Sequence, residues 1–249
     1  MQSASKYKAP ENLLKDKTIL VTGAGDGIGA AAAKSFAAHG ATVILTGKTI
    51  PKLEIVYDEI IATNSPEPAI YPIDYTGASV EDYATMADTL ESNFGQIDGL
   101  LHNAAQLGLM TPIANYTAAD WVKTIHTNLT APFLLTQALL PLLMKAKESS
   151  IVFTTDYVGQ HPNAYWGAYG VSKAGIDNLM VTLAEELDNT TNIRVNSIDP
   201  GAVRTTLRRS AFPGEVPGEV TLPETIMPVY LYLMGNDSIK ENKQTFAAQ

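Results

Sequence analysis

Short runs of apolar, β-branched residues alternate along this chain with longer stretches whose apolar positions recur every three or four residues. The first kind of run predicts strands and the second predicts helices. Strands are predicted over 18–21, 42–46, 69–73, 100–102, 151–154 and 193–198, and helices over 28–39, 52–62, 80–94, 118–144 and 169–187. Repeated strand–helix alternation predicts a parallel sheet covered by helices on both faces. Pro72 falls inside the third strand, and proline cannot donate to a ladder, so that strand is expected at a sheet edge. Pro132 predicts a bend within 118–144. The last fifty residues carry Pro200, Pro213, Pro217, Pro223 and Pro228 and show less regular patterning.

The longest uncharged run covers 124–144. Its length would suit a membrane span, but His126, Asn128, Gln137, two prolines and several threonines interrupt it. A helix buried in a core or a subunit interface is the expectation. The N-terminal segment lacks the apolar block of a signal peptide. No repeat, low-complexity tract or linker divides the 249 residues, so one domain is expected, with residues 1–15 as an N-terminal extension.

Composition narrows the partners. Seventeen Lys and Arg against 26 Asp and Glu give a net charge of −9. Nucleic acid and anionic membranes both favour basic surfaces, so neither is an expected partner. The absence of Cys removes disulfides, thiolate metal sites and a Cys nucleophile, and fits a cytoplasmic location. His39, His102, His126 and His161 have no metal-ligand spacing. Trp121 and Trp166 read as packing groups.

The first strand runs directly into Thr22-Gly23-Ala24-Gly25-Asp26-Gly27-Ile28-Gly29, and a helix follows. Glycines let backbone turn sharply and approach a pyrophosphate, while the helix N-terminus offers free N–H groups and a positive dipole end. A flexible turn would also be glycine-rich, but the strand–loop–helix context is the one nucleotide binding needs. At the end of the second strand, Gly47 stands where an acid would bond both ribose hydroxyls and favour NAD. Lys48 follows, positioned either for a 2′-phosphate, which favours NADP, or for plain solvation. No GxxxxGK[ST] pattern is present, which argues against an ATPase.

The glycine spacing TGxxxGIG resembles that of the short-chain dehydrogenase/reductase family. Further matches occur in order. His102-Asn103-Ala104-Ala105 resembles the family's NNAG, with Ala105 for Gly. Asn128 lies seven residues after Trp121, as the family's helix Asn follows a Trp-like position. Tyr169-Gly170-Val171-Ser172-Lys173 is the YxxxK motif, and Asn196-Ser197-Ile198-Asp199-Pro200-Gly201 resembles N-x-I-x-P-G. The flanking WGAY, the Arg-rich stretch 204–209 and MPVYLYLMG resemble a YciK-type bacterial subgroup. The resemblance implies a single Rossmann-type doubly wound α/β domain with about six or seven parallel strands. It implies hydride transfer between a nicotinamide and a small carbonyl or alcohol, and a homodimer or homotetramer. Gly23, Gly25, Asp26, Gly27, Ile28, Lys48, Asp74, Asn103, Ala104, Tyr169, Lys173, Pro200, Gly201, Val203 and Thr205 would contact the cofactor. Asp74 would bond adenine, or merely cap a turn. Residues 202–228 would form a substrate lid, within which Arg204, Arg208 and Arg209 either meet an acidic substrate, clasp cofactor phosphate, or pair with Glu215 or Glu219.

Tyr169 and Lys173 are four apart and share a helix face. A free Tyr has a pKa of ~10, and the nearby ammonium is expected to lower it. The resemblance assigns Tyr169 as general acid in reduction and base in oxidation. It has Lys173 also hold the nicotinamide ribose, and Asn128 anchor a water of a proton relay. The departure is at the family's Ser, thirteen residues before the Tyr, where this chain has Asp156. A Ser hydroxyl donates to a carbonyl, whereas an ionised carboxylate only accepts and would repel developing negative charge. Three readings follow. Asp156 is protonated and donates; Thr155 or Tyr157 supplies the hydroxyl; or the site is impaired or specialised for a donor-rich substrate. The rival to an enzyme is a nucleotide-binding sensor or scaffold.

Overall fold

The computed structural model describes residues 2–249. Eight parallel strands form one sheet. In chain order they are β1 (Gln2–Ser3), β2 (Thr18–Thr22), β3 (Thr42–Gly47), β4 (Ala69–Pro72), β5 (Gly99–His102), β6 (Ser149–Thr154), β7 (Ile193–Asp199) and β8 (Thr245–Ala247). Their spatial order is β1-β8-β7-β6-β5-β2-β3-β4. The helices are α1 (Gly27–Ala38), α2 (Ile50–Ala62), α3 (Val80–Phe94), α4 (Ala118–Ile125), α5 (Ala131–Leu143), α6 (Gly167–Leu187), α7 (Thr206–Ala211) and α8 (Met227–Met234). The Rossmann-type sheet is thus seven strands, with β1 as a two-residue addition on β8.

The strands are apolar on both faces, which a sheet covered on both sides requires. Ile19, Val21, Val43, Leu45, Leu101 and Val152 point into one apolar cluster with α1, α2 and α8. Leu20, Ile44, Leu100, Ile151 and Phe153 point into a second with α3, α5 and α6. β4, which contains Pro72, is an edge strand, as expected.

The region 118–144 is two helices joined by a π-turn, His126–Thr130, immediately before Pro132. Ala131 donates to the His126 carbonyl, five residues back. Pro132 has no N–H for the carbonyl of Asn128, so the regular pattern fails here. One side of α5 is core, through Leu135, Leu139 and Leu142, while Phe133 on the other is exposed. Among the described residues no helix is long and apolar enough to cross a membrane.

Residues 4–15 are less of an appendage than an extension would be. Leu14 is fully buried, the Tyr7 ring packs edge-on to Tyr232, and the Tyr7 hydroxyl donates to Asp237.

Candidate active site

The sheet order reverses direction between β2 and β5, and in open α/β sheets that switch point opens a crevice at the carboxyl ends of the strands. Here a cavity of about 660 Å³ lies there. Segments following β2, β3, β5, β6 and β7 line it.

The glycine loop forms its floor. Gly23 and Gly27 have φ of +67° and +53°, in the left-handed region glycine tolerates. A Cβ on Gly29 would lie 2.2 Å from the Gly23 carbonyl oxygen, so only glycine lets α1 seat against the loop. Thr22 ties this loop to the one after β5: its hydroxyl accepts from the N–H groups of Asn103 and Ala104, both at 2.9 Å. Ser79 caps α3 and Thr117 caps α4, but the side chain of Asp26, the residue before α1, makes no cap hydrogen bond and is turned to Lys52. An uncapped helix start facing a cavity suits a phosphate, and the close-packed glycine cradle leaves backbone room for one. The residues present therefore fit a dinucleotide.

Gly25, Asp26, Gly27, Ile28, Lys48, Asp74, Asn103, Ala104, Pro200, Gly201, Val203 and Thr205 all line the cavity. Lys48 is exposed at its rim. Asp26 pairs with Lys52 at 2.6 Å, a hydrogen bond that keeps the Asp26 carboxyl below its usual range. Asp74 accepts from the Thr76 N–H and hydroxyl, so the turn-cap reading holds alongside its place on the cavity wall.

At the other end, Tyr169 and Lys173 share the inner face of α6 and are both buried. The Lys173 ammonium lies 5.5 Å from the Tyr169 ring centroid and donates to the Thr154 carbonyl at 2.7 Å. The Tyr169 hydroxyl donates to Asp156 Oδ2 at 2.9 Å. The other carboxyl oxygen, Oδ1, accepts from Val158 N–H at 3.0 Å, capping the short turn Tyr157–Gly159. A Cβ on Gly159 would come within 2.9 Å of the α6 backbone, so this turn sits directly on the helix and fixes Asp156 over Tyr169.

The expected lowering of the Tyr169 pKa is not what this arrangement gives. Burial, then the charge and hydrogen bond of Asp156, then Asp199, raise it well above the usual value, and only Arg208 opposes. Lys173 is itself lowered by burial, against the pull of Asp156, Asp177 and Asp199. A positive nicotinamide ring would act on Tyr169 in the opposite sense.

Asn128 lies behind the cavity wall. Its side chain accepts from the Gln106 N–H and donates to the Gln106 carbonyl, both at 2.8 Å, and donates to Ser172 Oγ at 3.1 Å. Ser172 in turn donates to the Tyr169 carbonyl at 2.7 Å. Asn128 thus joins the wall after β5 to the helix carrying Tyr169. Arg204 lies outside the cavity: Val203, bridged to Thr221, turns inward, and alternation sends Arg204 to solvent. Arg208 lines the cavity instead, ion-paired with Glu215 and stacked 3.7 Å over Phe212. Trp166 is also a cavity wall, 5.6 Å from the Tyr169 ring and 5.7 Å from Phe212, whereas Trp121 packs against Tyr116.

Of the two hydroxyls offered as substitutes for the missing Ser, Tyr157 is exposed, stacked on His161 and off the cavity. Thr155 lines the cavity, but its hydroxyl is buried beside Asp177 and makes no hydrogen bond among the described residues. Sequence reading missed Ser172, Asp177 and Asp199, whereas Arg208 was among the candidates and its named pairing with Glu215 is present. Asp177 stands four residues after Lys173 on the same helix, a spacing that could have flagged it.

Residues 17–215 match the family model for short chain dehydrogenases. The chain belongs to the short-chain dehydrogenase family. It is 42% identical, over 98% of its length and 96% of the relative's, to the uncharacterized oxidoreductase YciK of Escherichia coli K12. A short chain dehydrogenase structure from Pseudomonas syringae superposes with a TM-score of 0.96 at 48% identity, covering 98% of each chain. One from Shigella flexneri, crystallised with NADP, has a TM-score of 0.94 at 42% identity, covering 96% of this chain and all of that one. Within the family this chain is similar to YciK-type proteins over nearly its whole length, in sequence and in fold.

Proposed function

We propose that the protein is an NADP(H)-dependent oxidoreductase that moves hydride between the nicotinamide and a small carbonyl or alcohol. The single observation that carries this reading is the convergence of Tyr169, Lys173 and the glycine loop on one cavity. The bound cofactor supplies the hydride, and the chain supplies orientation and the proton.

Gly23, Gly27 and the α1 N-terminus would hold the pyrophosphate, Asp74 the adenine, and Asn103 and Ala104 the cofactor's middle. Pro200, Gly201, Val203 and Thr205 would close over the nicotinamide end. The Lys173 ammonium, held by the Thr154 carbonyl, would bond the ribose hydroxyls beside the Tyr169 ring. The Tyr169 hydroxyl would deliver a proton to the carbonyl oxygen in reduction. Asn128 acts as a positioning residue, through Gln106 on one side and Ser172 on the other; the water relay the resemblance implies would start from it. Residues 202–228 would serve as the lid, with Arg208, Phe212 and Trp166 at the substrate end.

NADP over NAD is supported by Gly47, which offers no carboxylate to the ribose, and by the cationic rim at Lys48 and Lys52. The NADP complex of the Shigella relative supports the same choice. Dissociation constants for NADPH and NADH test it. NADPH is expected to bind at least tenfold tighter, and Lys48→Ala to erase most of that margin by weakening NADPH alone; equal or tighter NADH binding by the parent contradicts it.

The exposed apolar residues Val122 on α4, Phe133 on α5, and Val171 and Val181 on α6 support a homodimer or homotetramer built on these helices. The rival reading, a nucleotide-binding sensor, draws on the Asp156 contact that occupies the Tyr169 hydroxyl. It requires tight NADPH binding with no turnover on any carbonyl.

A further inference from the structure

We propose that this site also reduces carbon–nitrogen double bonds, and prefers a protonated imine to a ketone of similar size. The inference rests on the hydride-transfer reading above and deepens it by naming the substrate class.

The argument starts from which atoms surround the reacting heteroatom. The Tyr169 hydroxyl and Asp156 line the same cavity with their oxygens 2.9 Å apart, so a heteroatom seated between them has both within hydrogen-bond reach. Tyr169 both donates and accepts, but an ionised carboxylate accepts only. A ketone oxygen has no hydrogen to offer Asp156. During reduction that oxygen becomes more negative beside a carboxylate, which is the wrong sign for stabilisation. A protonated imine nitrogen has the N–H that Asp156 lacks a partner for on the substrate side, and it carries positive charge when it arrives.

The wider surroundings have the same sign. Asp177 and Asp199 stand near enough to act on Lys173 together with Asp156, so three carboxylates share one ammonium. Arg208 is the only cation that acts on Tyr169 from the lid, and its guanidinium is already paired with Glu215. The wall beside Tyr169 is aromatic, formed by Trp166 and Phe212. Aromatic faces and carboxylates together recognise organic cations. Where an oxyanion site would have a second donor beside the Tyr169 hydroxyl, this one has a carboxylate, with aromatic rings on the adjoining wall.

The reaction balances without a proton from the protein. The imine carbon takes the hydride of the reduced nicotinamide, the π pair of the C=N bond becomes the nitrogen lone pair, and the nitrogen keeps the hydrogen it brought. One nicotinamide is oxidised for each secondary amine formed. Asp156 holds the nitrogen in its protonated, electrophilic form. Tyr169 is then spared as an acid, so its loss should weigh less on imines than on ketones.

The test uses 3,4-dihydroisoquinoline as the imine and 1-tetralone as the ketone, with NADPH and the whole protein at neutral pH. The imine is expected to show kcat/KM at least tenfold above the ketone. Asp156→Ser should reverse that order, and Tyr169→Phe should abolish ketone reduction while leaving measurable imine reduction. A second arm reads binding alone. With NADP present, 1,2,3,4-tetrahydroisoquinoline, an ammonium at neutral pH, should bind at least tenfold tighter than isochroman, its oxygen isostere. Asp156→Asn should remove that margin. A parent that reduces the ketone as well as the imine overturns the proposal. If NADPH binds and neither substrate turns over, the hydride-transfer reading fails by itself, and the binding arm decides the substrate class. Equal binding of the ammonium and its isostere, or a margin untouched by Asp156→Asn, then overturns it.

Discussion

Asp156 sets the chemical character of this site. Its backbone position has a structural cause, since one carboxyl oxygen caps the turn Tyr157–Gly159. A Ser would cap that turn as well, so the choice of Asp is not forced by folding. What changes is the Tyr169 hydroxyl, which donates to Asp156 instead of standing free for a substrate. Asp156→Ser should therefore raise ketone reduction at neutral pH, by on the order of a hundredfold if a full oxyanion donor is restored, with NADPH affinity nearly unchanged. The sign of the pH effect follows from Tyr169. Burial and Asp156 raise its pKa, so it stays a protonated acid across neutral pH and becomes a base for alcohol oxidation only in alkaline solution. Removing Asp156 takes away the second and third causes of that rise. The pH at which oxidation reaches half its maximum should then be lower in Asp156→Ser than in the parent. Oxidation profiles of the two proteins on one alcohol check this, and an unmoved or higher midpoint contradicts it.

At the level of elements, the strands were legible because each shows a short apolar run bounded by turn residues. Helix α3 was read to its ends, since Ser79 and Asp82 form a capping box and Gly95 closes it. α8 was not legible: six of its eight residues are buried, so it has no polar face and no helical period. β1 and β8 are too short to show alternation. His102, where the family motif has Asn, ends β5 and carries its own consequence. It is fully enclosed, stacked 4.6 Å from Phe153 and hydrogen-bonded with Thr136. Burial pushes its pKa down to about 3. In the unfolded chain it titrates near ~6.5, so as pH falls the unfolded state takes the proton first. Stability is full above ~6.5 and declines toward pH 3, by at most on the order of 5 kcal/mol. His102→Asn should flatten the fall of Tm between these limits relative to the parent. Parallel Tm–pH curves for the two proteins contradict the assignment.

For the whole molecule, the alternation of elements implied a two-faced parallel sheet, and the sheet order then determined where chemistry could occur. Residues far apart in sequence, such as Gly23, Asn103, Asp156 and Pro200, meet because each follows the carboxyl end of a strand near the switch point. Motif spacing found those residues; it missed Asp177 and Asp199, whose role depends on how α6 and β7 face one another. It also misjudged Arg204, because the bridge of Val203 to Thr221 that turns it outward is not written in the local pattern. The uncharged run 124–144 is half explained by the core, and its exposed side predicts assembly. Light scattering at micromolar concentration should report a dimer or tetramer, since a stable interface buries upward of ~1,000 Å². Phe133→Glu should shift the protein toward monomer; a parent that scatters as a ~27 kDa monomer contradicts this part of the account.

The claim beneath all of this is that Tyr169 gives the proton when a carbonyl is reduced. Single-turnover mixing of NADPH-loaded protein with a panel of small ketones and aldehydes, followed by loss of the reduced-nicotinamide signal, addresses it most directly. The parent should oxidise its bound NADPH with at least one of them. Tyr169→Phe should bind NADPH as tightly and react at least a hundredfold more slowly with that same substrate. Equal rates in the two proteins, or a parent that binds NADPH and reduces nothing, would contradict it.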